Sequence, residues 1–132
     1  MTLEFLMLPG APPPPPTAAY SHAVRAGDFL FVTGQLGVDP ATGALVPGGV
    51  VEQARQVMQN LATVLRLAGT ALDRAVMARI YLVNFADYQA VNGVYAGCFQ
   101  PGRYPARTTV GVTGLALGAL VEIGRASCRE RV

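Results

Sequence analysis

The feature that most constrains the fold is a run of apolar residues between Val50 and Ala68. These residues recur at spacings of three and four, which is the period of one helix face. Gly69 follows at the position where a glycine commonly ends a helix. We therefore predict an amphipathic helix over 50–68, whose apolar face must pack against a second layer of structure.

The segments on either side of this helix predict strands and one further helix. Alternating or β-branched runs indicate strands at 3–8, 23–25, 29–32, 76–83, 107–113 and 120–123. Asp87 is expected to cap a second helix of about 12 residues. Its predicted inner stripe is Val91, Val94, Tyr95, Cys98 and Phe99.

The order of these elements is hairpin, helix, strand, helix and hairpin, so the strands at 107–113 and 120–123 are expected to pair directly. This order predicts an α+β domain with two helices on one face of a mixed sheet. The five prolines Pro12–Pro16 must run extended in the polyproline II form. We interpret them as a stiff arm along the surface, with an SH3-type ligand as the alternative.

Composition limits the classes of function. The 132 residues fit one domain, and only 14% of them are charged while 52% are apolar, which suggests subunit contacts. Arginines and acidic residues cancel over residues 1–122, and this neutral body argues against nucleic-acid binding. Two cysteines and one histidine cannot build a structural zinc site. No apolar run approaches the roughly 20 residues of a membrane helix. We expect a soluble, cytosolic protein with no membrane partner.

Six short phrases, each weak alone, carry a strong joint signal through their order and spacing. The spacing from Pro-Ala-Arg to Val-Glu-Ile is the most specific part. The phrases are Ala19-Tyr20-Ser21, Phe31-Val32-Thr33-Gly34-Gln35, Asp39-Pro40 with Thr42-Gly43, Val91-Asn92 with Tyr95, Pro105-Ala106-Arg107, and Leu120-Val121-Glu122-Ile123. Over about residues 16–123 the chain resembles the RidA (YjgF-type) family of imine and enamine deaminases.

The resemblance implies a chorismate-mutase-like α+β fold assembled as a homotrimer, with three ligand sites in the clefts between subunits. The uncovered sheet face would then pack inward. It also implies hydrolysis of reactive imines such as 2-iminopropanoate and 2-iminobutanoate to 2-oxo acids and ammonia. Such imines hydrolyse in water already, so the site would supply orientation and a positioned water. Neither a metal, a cofactor nor a covalent nucleophile is expected.

Two charged residues are the predicted catalytic pair. Arg107 would bind the substrate carboxylate, since a guanidinium makes two parallel charge-assisted hydrogen bonds to that group. The alternative is a structural ion pair. Glu122, on the strand expected to be hairpinned to that of Arg107, would orient and deprotonate the attacking water. Its alternative role is to neutralise Arg107.

The remaining candidates would bind or surround the substrate. Tyr20 would close the cleft or simply pack. Asn92 would cap backbone groups or steady the cleft, and the backbone of Thr33 and Gly34 would approach the ligand. Thr109 is predicted on the same strand face as Arg107, where many relatives carry cysteine, and its hydroxyl could bind a ligand. The remaining two predictions are a surface or interface role for His22 and an inert core thiol for Cys98.

The end of the chain departs from the family pattern. We expect one RidA-like domain over 1–123 and a non-native tail over 124–132, because the tail matches the translation of a common sequencing adapter. In that case only the first base of the Glu122 codon is native, and Val, Ala, Asp, Glu or Gly is possible there; the family pattern favours Glu. Loss of most of the last strand would lower stability.

Three alternative functions stay open at this point. The cleft could hold small carboxylates such as 2-oxo acids without turnover, as a regulatory protein would. The enzyme could act on a different enamine, such as an aminomuconate. Members of the family have also been linked to ribonuclease activity, against which the neutral body argues.

Overall fold

Two helices cover one face of a mixed β-sheet in the computed structural model. It describes the backbone of residues 2–129 and the side chains of residues 2–124. The strands are β1 (Leu3–Leu6), β2 (Ala23–Ala26), β3 (Phe29–Val32), β4 (Gln35–Leu36), β5 (Ala75–Leu82), β6 (Ala106–Gly111) and β7 (Val121–Arg129). The helices are α1 (Val50–Leu67) and α2 (Tyr88–Ala96). The predicted α+β class with two helices on a mixed sheet is confirmed.

The strand order corrects one prediction that matters for the site. Within the described residues the order is β1-β2-β3-β7-β5-β6, and β4 pairs with a different stretch of β7. β5 and β6 are parallel, and β7 runs antiparallel to β5. The predicted hairpin between β6 and β7 is therefore wrong, because β5 lies between them. The reason is that helix α2 connects β5 to β6. A helical crossover brings the chain back parallel to the strand it left, so β6 pairs with β5 at the edge of the sheet.

Helix α1 forms where its periodicity predicts, and its apolar stripe makes the centre of the core. Two of its polar residues are also buried and bind the sheet. Asn60 donates to the carbonyl oxygens of Leu36 and Val38 at 3.1 and 2.9 Å. Gln53 accepts from the amide of Leu120 at 2.9 Å. These bonds fix β4 and the start of β7 against the helix.

Helix α2 is shorter than predicted. A 3-10 turn over Phe85–Asp87 precedes it, and the side chain of Asn84 caps this turn by accepting from Ala86 at 3.1 Å. Asp87 is the N-cap residue of α2, as predicted, but its side chain makes no capping hydrogen bond. Because the helix ends at Ala96, Cys98 falls outside the helical period and is exposed. The prediction of a core thiol at Cys98 is wrong for that reason.

His22 is buried, not a surface residue. Its Nδ1 accepts from the amide of Leu8 at 2.8 Å, and its Nε2 lies 2.8 Å from the carbonyl oxygen of Pro12. A backbone amide can only donate and a carbonyl can only accept, so Nε2 carries the proton. His22 thus ties the proline-containing arm to β2, a long-range role that no local pattern indicates.

The last strand continues beyond the point where it was expected to end. The backbone of residues 124–129 extends β7 and pairs with both β3 and β5. Ladder hydrogen bonds use backbone groups alone, so these residues can complete the strand whatever their origin. The prediction that the strand is lost after Ile123 is therefore wrong, while the non-native origin of residues 124–132 stays a prediction. Residues 130–132 lie outside the described part of the chain.

The sheet face opposite the helices carries exposed apolar side chains. Phe29 and Phe31 on β3 are 44% and 50% exposed, and Met77 on β5 is 42% exposed. Their neighbours Leu30 and Val32 point the other way into the core. Side chains alternate along a strand, so these exposed residues share one face. We call it the open face.

Candidate functional site

Arg107 lies on edge strand β6 and points toward α2. Its Nη1 donates to the side-chain oxygen of Asn92 at 2.7 Å, and its Nη2 donates to the hydroxyl of Tyr88 at 2.6 Å. The carbon at the centre of the guanidinium lies 5.5 Å from the ring centre of Tyr88 and 5.0 Å from that of Tyr95. Both distances are within the range of cation–π contacts. Two hydrogen bonds and two rings therefore fix the half-buried guanidinium.

The positive charge of Arg107 is not neutralised within the described part of the chain. Both of its hydrogen-bond acceptors are neutral, and no described carboxylate lies within ion-pair distance of it. A guanidinium has five N–H donors. Asn92 and Tyr88 use two of them, which leaves three for an anion. The group can still bind a carboxylate with two hydrogen bonds.

Tyr88 is a residue of this site that the sequence patterns did not indicate. Together with Asn92 and Tyr95 it occupies positions i, i+4 and i+7 of α2, which is one face of the helix. Asn92 was assigned to the cleft, so this spacing could have identified Tyr88 and Tyr95 as its neighbours. The structure places Asn92 where it steadies Arg107 directly.

Two hydroxyls near Arg107 are buried without hydrogen-bond partners among the described residues. They belong to Tyr95 and Thr109. Burial raises the pKa of the Tyr95 phenol, and the positive charge of Arg107 acts in the opposite direction. Thr109 lies two residues after Arg107 on the same strand face, opposite buried Ile80, as predicted.

Gly34 is the candidate that the structure brings next to Glu122 on β7. A Cβ atom built on Gly34 would lie 2.8 Å from a carboxylate oxygen of Glu122, so only glycine leaves room for that group. The hydroxyl of Thr33 donates to the carbonyl of Ser21, the residue after Tyr20, at 2.5 Å. Tyr20 is 44% exposed, and partial burial raises the pKa of its phenol.

The two groups of residues lie on opposite faces of the sheet. Arg107 pairs with Ala78, which is buried under the helices, whereas Glu122 pairs with Tyr81. The neighbours of Glu122, Val121 and Ile123, point into the core, so Glu122 points to the open face. One chain therefore does not bring Arg107 and Glu122 to a common site, contrary to what the predicted hairpin implied.

The described residues contain neither a group of three or more metal-ligating side chains nor a helix long and apolar enough to cross a membrane.

Comparison with known proteins identifies the family. The family model described as endoribonuclease L-PSP matches residues 11–127. The chain belongs to this family, also known as YjgF/RidA. The resemblance inferred from the short phrases is thus confirmed.

Relatives within the YjgF/RidA family support the assignment along most of the chain. A protein of Capra hircus named 2-iminobutanoate/2-iminopropanoate deaminase is 44% identical over 104 residues, which are 79% of this chain and 75% of the relative. A RutC family protein of Pyrococcus horikoshii is 38% identical over 117 residues, 89% of this chain and 92% of the relative. The crystal structure of RidA from a Psychrobacter species superimposes with a TM-score of 0.84 at 31% identity, covering 94% of this chain and 98% of the other.

Proposed function

We propose that this protein hydrolyses reactive 2-imino and 2-enamino acids, such as 2-iminopropanoate and 2-iminobutanoate, to 2-oxo acids and ammonia. The single observation that carries the proposal is Arg107, a fixed guanidinium with an unneutralised charge and free donors. Such a group suits a small carboxylate. Family membership and the deaminase name of the goat relative support the same reaction.

The proposed site combines two subunits of a homotrimer. Arg107 and Glu122 lie on opposite sheet faces, so one site with both residues takes Arg107 from one copy and Glu122 from a neighbour. Phe29, Phe31 and Met77 on the open face support such an assembly, because exposed apolar patches commonly mark protein contacts. The low share of charged residues in the sequence, 14%, is consistent with assembly into a trimer.

The proposed reaction follows from these two groups. Arg107 binds the carboxylate and orients C2 of the imine toward a water held by Glu122. The water oxygen adds to C2 while Glu122 takes one proton from the water and passes it to the imine nitrogen, which gives the carbinolamine. Glu122 then takes the hydroxyl proton and passes it to the amino group, so that the C–N bond breaks and ammonia leaves as the carbonyl forms. One water is consumed per imine, and no redox change occurs.

The test uses 2-iminobutanoate generated in place by a threonine dehydratase, with 2-oxobutanoate formation followed over time. The protein should accelerate this step, and Arg107→Ala should abolish the acceleration. Arg103→Ala is the matched control, because Arg103 is an exposed arginine in the loop before β6. Binding of 2-oxobutanoate without acceleration would instead favour the regulatory alternative. The cytosolic location and the absence of a nucleic-acid partner stay predictions from the composition.

A further inference from the structure

A cavity beside Arg107 is not used by the reaction as described above. Its volume is about 330 Å³. Arg107 forms one wall, and the rest of the lining is Asn92, Tyr95, Ala96, Tyr104 and Pro105. It thus lies between the C-terminal half of α2 and the segment that leads into β6. A ligand whose carboxylate binds Arg107 has this cavity next to it.

The lining of the cavity combines polar and apolar residues and includes two tyrosines. Beside Arg107 and Asn92, the lining residues are Tyr95, Ala96, Tyr104 and Pro105. Phe99 supports the aromatic wall from behind, with its ring centre 4.9 Å from that of Tyr95 and 6.4 Å from that of Tyr104. Packed rings at these distances form a stable arrangement.

The volume decides what such a cavity can hold. An apolar cavity of about 150 Å³ is sufficient for benzene. The cavity beside Arg107 has about 330 Å³, roughly twice that figure. The methyl or ethyl group of 2-iminopropanoate or 2-iminobutanoate would leave most of it empty, whereas a phenyl group would fill more of it and contact the exposed Tyr104 ring.

We infer that the preferred substrates are 2-imino acids with aromatic or similarly large apolar side chains. The inference rests on the proposed function, because it places the substrate carboxylate on Arg107. The substrate side chain enters the cavity and packs against Tyr104, and the imine carbon stays at the open end. The Arg107 cation can bind the carboxylate, and the alanine, proline and tyrosine residues of the cavity can contact an apolar substrate side chain.

The test compares two imines that differ only in side chain. An amino-acid oxidase generates 2-imino-3-phenylpropanoate or 2-iminopropanoate in the presence of semicarbazide, which traps the imine that has not been hydrolysed. The decrease in trapped imine caused by the protein gives kcat/KM for each substrate. The wild-type protein should have the higher kcat/KM for the phenyl substrate. Ala96→Leu, which adds volume inside the cavity, should lower the ratio of phenyl to methyl kcat/KM by about tenfold or more.

Ala90→Leu is the matched control. Ala90 lies on the same helix but is exposed and lines the groove between α1 and α2, so its substitution should leave the ratio unchanged. Tyr104→Ala is a second cavity variant, which tests the same prediction if Ala96→Leu does not fold. Tyr104 is 49% exposed, and loss of its ring should also lower the ratio.

The outcomes separate this inference from the proposed function. The cavity does not receive the substrate side chain if the protein accelerates hydrolysis of the methyl imine but not of the phenyl imine. The same conclusion follows if both cavity variants keep the wild-type ratio of phenyl to methyl kcat/KM. A neighbouring subunit that fills it would give the same result, and the inference would be overturned while the deaminase stands. If neither imine is accelerated, both proposals are wrong.

Discussion

Removal of the Tyr88 hydroxyl tests how the guanidinium is held. In Tyr88→Phe, Arg107 keeps its charge, its bond to Asn92 and its contacts with both rings, but loses the 2.6 Å hydrogen bond. Hydrogen bonds to charged groups contribute about 1.5–3 kcal/mol. Arg107 is half-buried, so the low end applies, about 1.5 kcal/mol or about tenfold in an equilibrium constant.

We expect this loss in KM and not in kcat. In Tyr88→Phe the charge of Arg107 still orients the substrate carboxylate, which does not react, so the lost hydrogen bond weakens binding equally in the ground state and the transition state and affects KM alone. KM for 2-iminobutanoate should therefore rise about tenfold while kcat changes by less than about twofold. The assay is steady-state hydrolysis at several imine concentrations, with circular dichroism to verify folding.

Tyr95→Phe is the matched comparison on the same helix. The Tyr95 ring also contacts the guanidinium, but its buried hydroxyl has no partner among the described residues. This substitution should change KM by less than about twofold and should raise the melting temperature, because an unpaired buried hydroxyl is destabilising. Equal effects of the two substitutions on KM would refute the role given to the Tyr88 hydrogen bond.

Three further predictions concern other parts of the molecule. Gly34→Ala should lower kcat with little change in melting temperature, because the new methyl displaces only the carboxylate of Glu122; full activity would contradict this. His22→Ala should lower the free energy of unfolding in urea by about 2–4 kcal/mol, since it leaves two backbone groups unpaired, and a loss well below that range would be inconsistent with the buried clamp. Partial burial raises the pKa of the Cys98 thiol although the residue is exposed overall, so in a Cys128→Ser background its rate of alkylation by iodoacetamide, followed against pH, should inflect above the ordinary thiol value of 9.0; an inflection below that value would argue against the shift.

Periodic patterns in the sequence were sufficient for the main elements. Helix α1 ends at Leu67, one residue before its predicted end, and β2 and β3 form the predicted hairpin. The position of Thr109 on the same face as Arg107 also follows from strand alternation alone. These features depend on residues that are close in sequence, so local rules describe them well.

Features that depend on distant residues were not predictable in this way. The separation of β6 from β7 depends on the insertion of β5 between them, which no local pattern records. The burial of His22 depends on an arm that begins 14 residues earlier, at Leu8. Cys98 was misplaced because the helical period was extended past Ala96, where α2 ends.

The arrangement of the proposed catalytic pair, Arg107 and Glu122, is the most important of these differences. Sequence alone suggested that Arg107 and Glu122 meet within one chain, because a hairpin would join their strands. Their opposite faces change the expectation: a site with both residues needs two copies of the chain. The proposal therefore depends on assembly as much as on the two side chains.

Mixed assembly of two inactive variants tests this claim most directly. Arg107→Ala and Glu122→Gln are each expected to be inactive as pure proteins. When they are unfolded together in equal amounts and refolded, a shared site is intact if one chain supplies Arg107 and its neighbour supplies Glu122. Random assembly of a closed ring then restores about one quarter of the wild-type rate. Mixed particles, verified by native mass spectrometry, that stay as inactive as the pure variants would contradict a site shared between subunits.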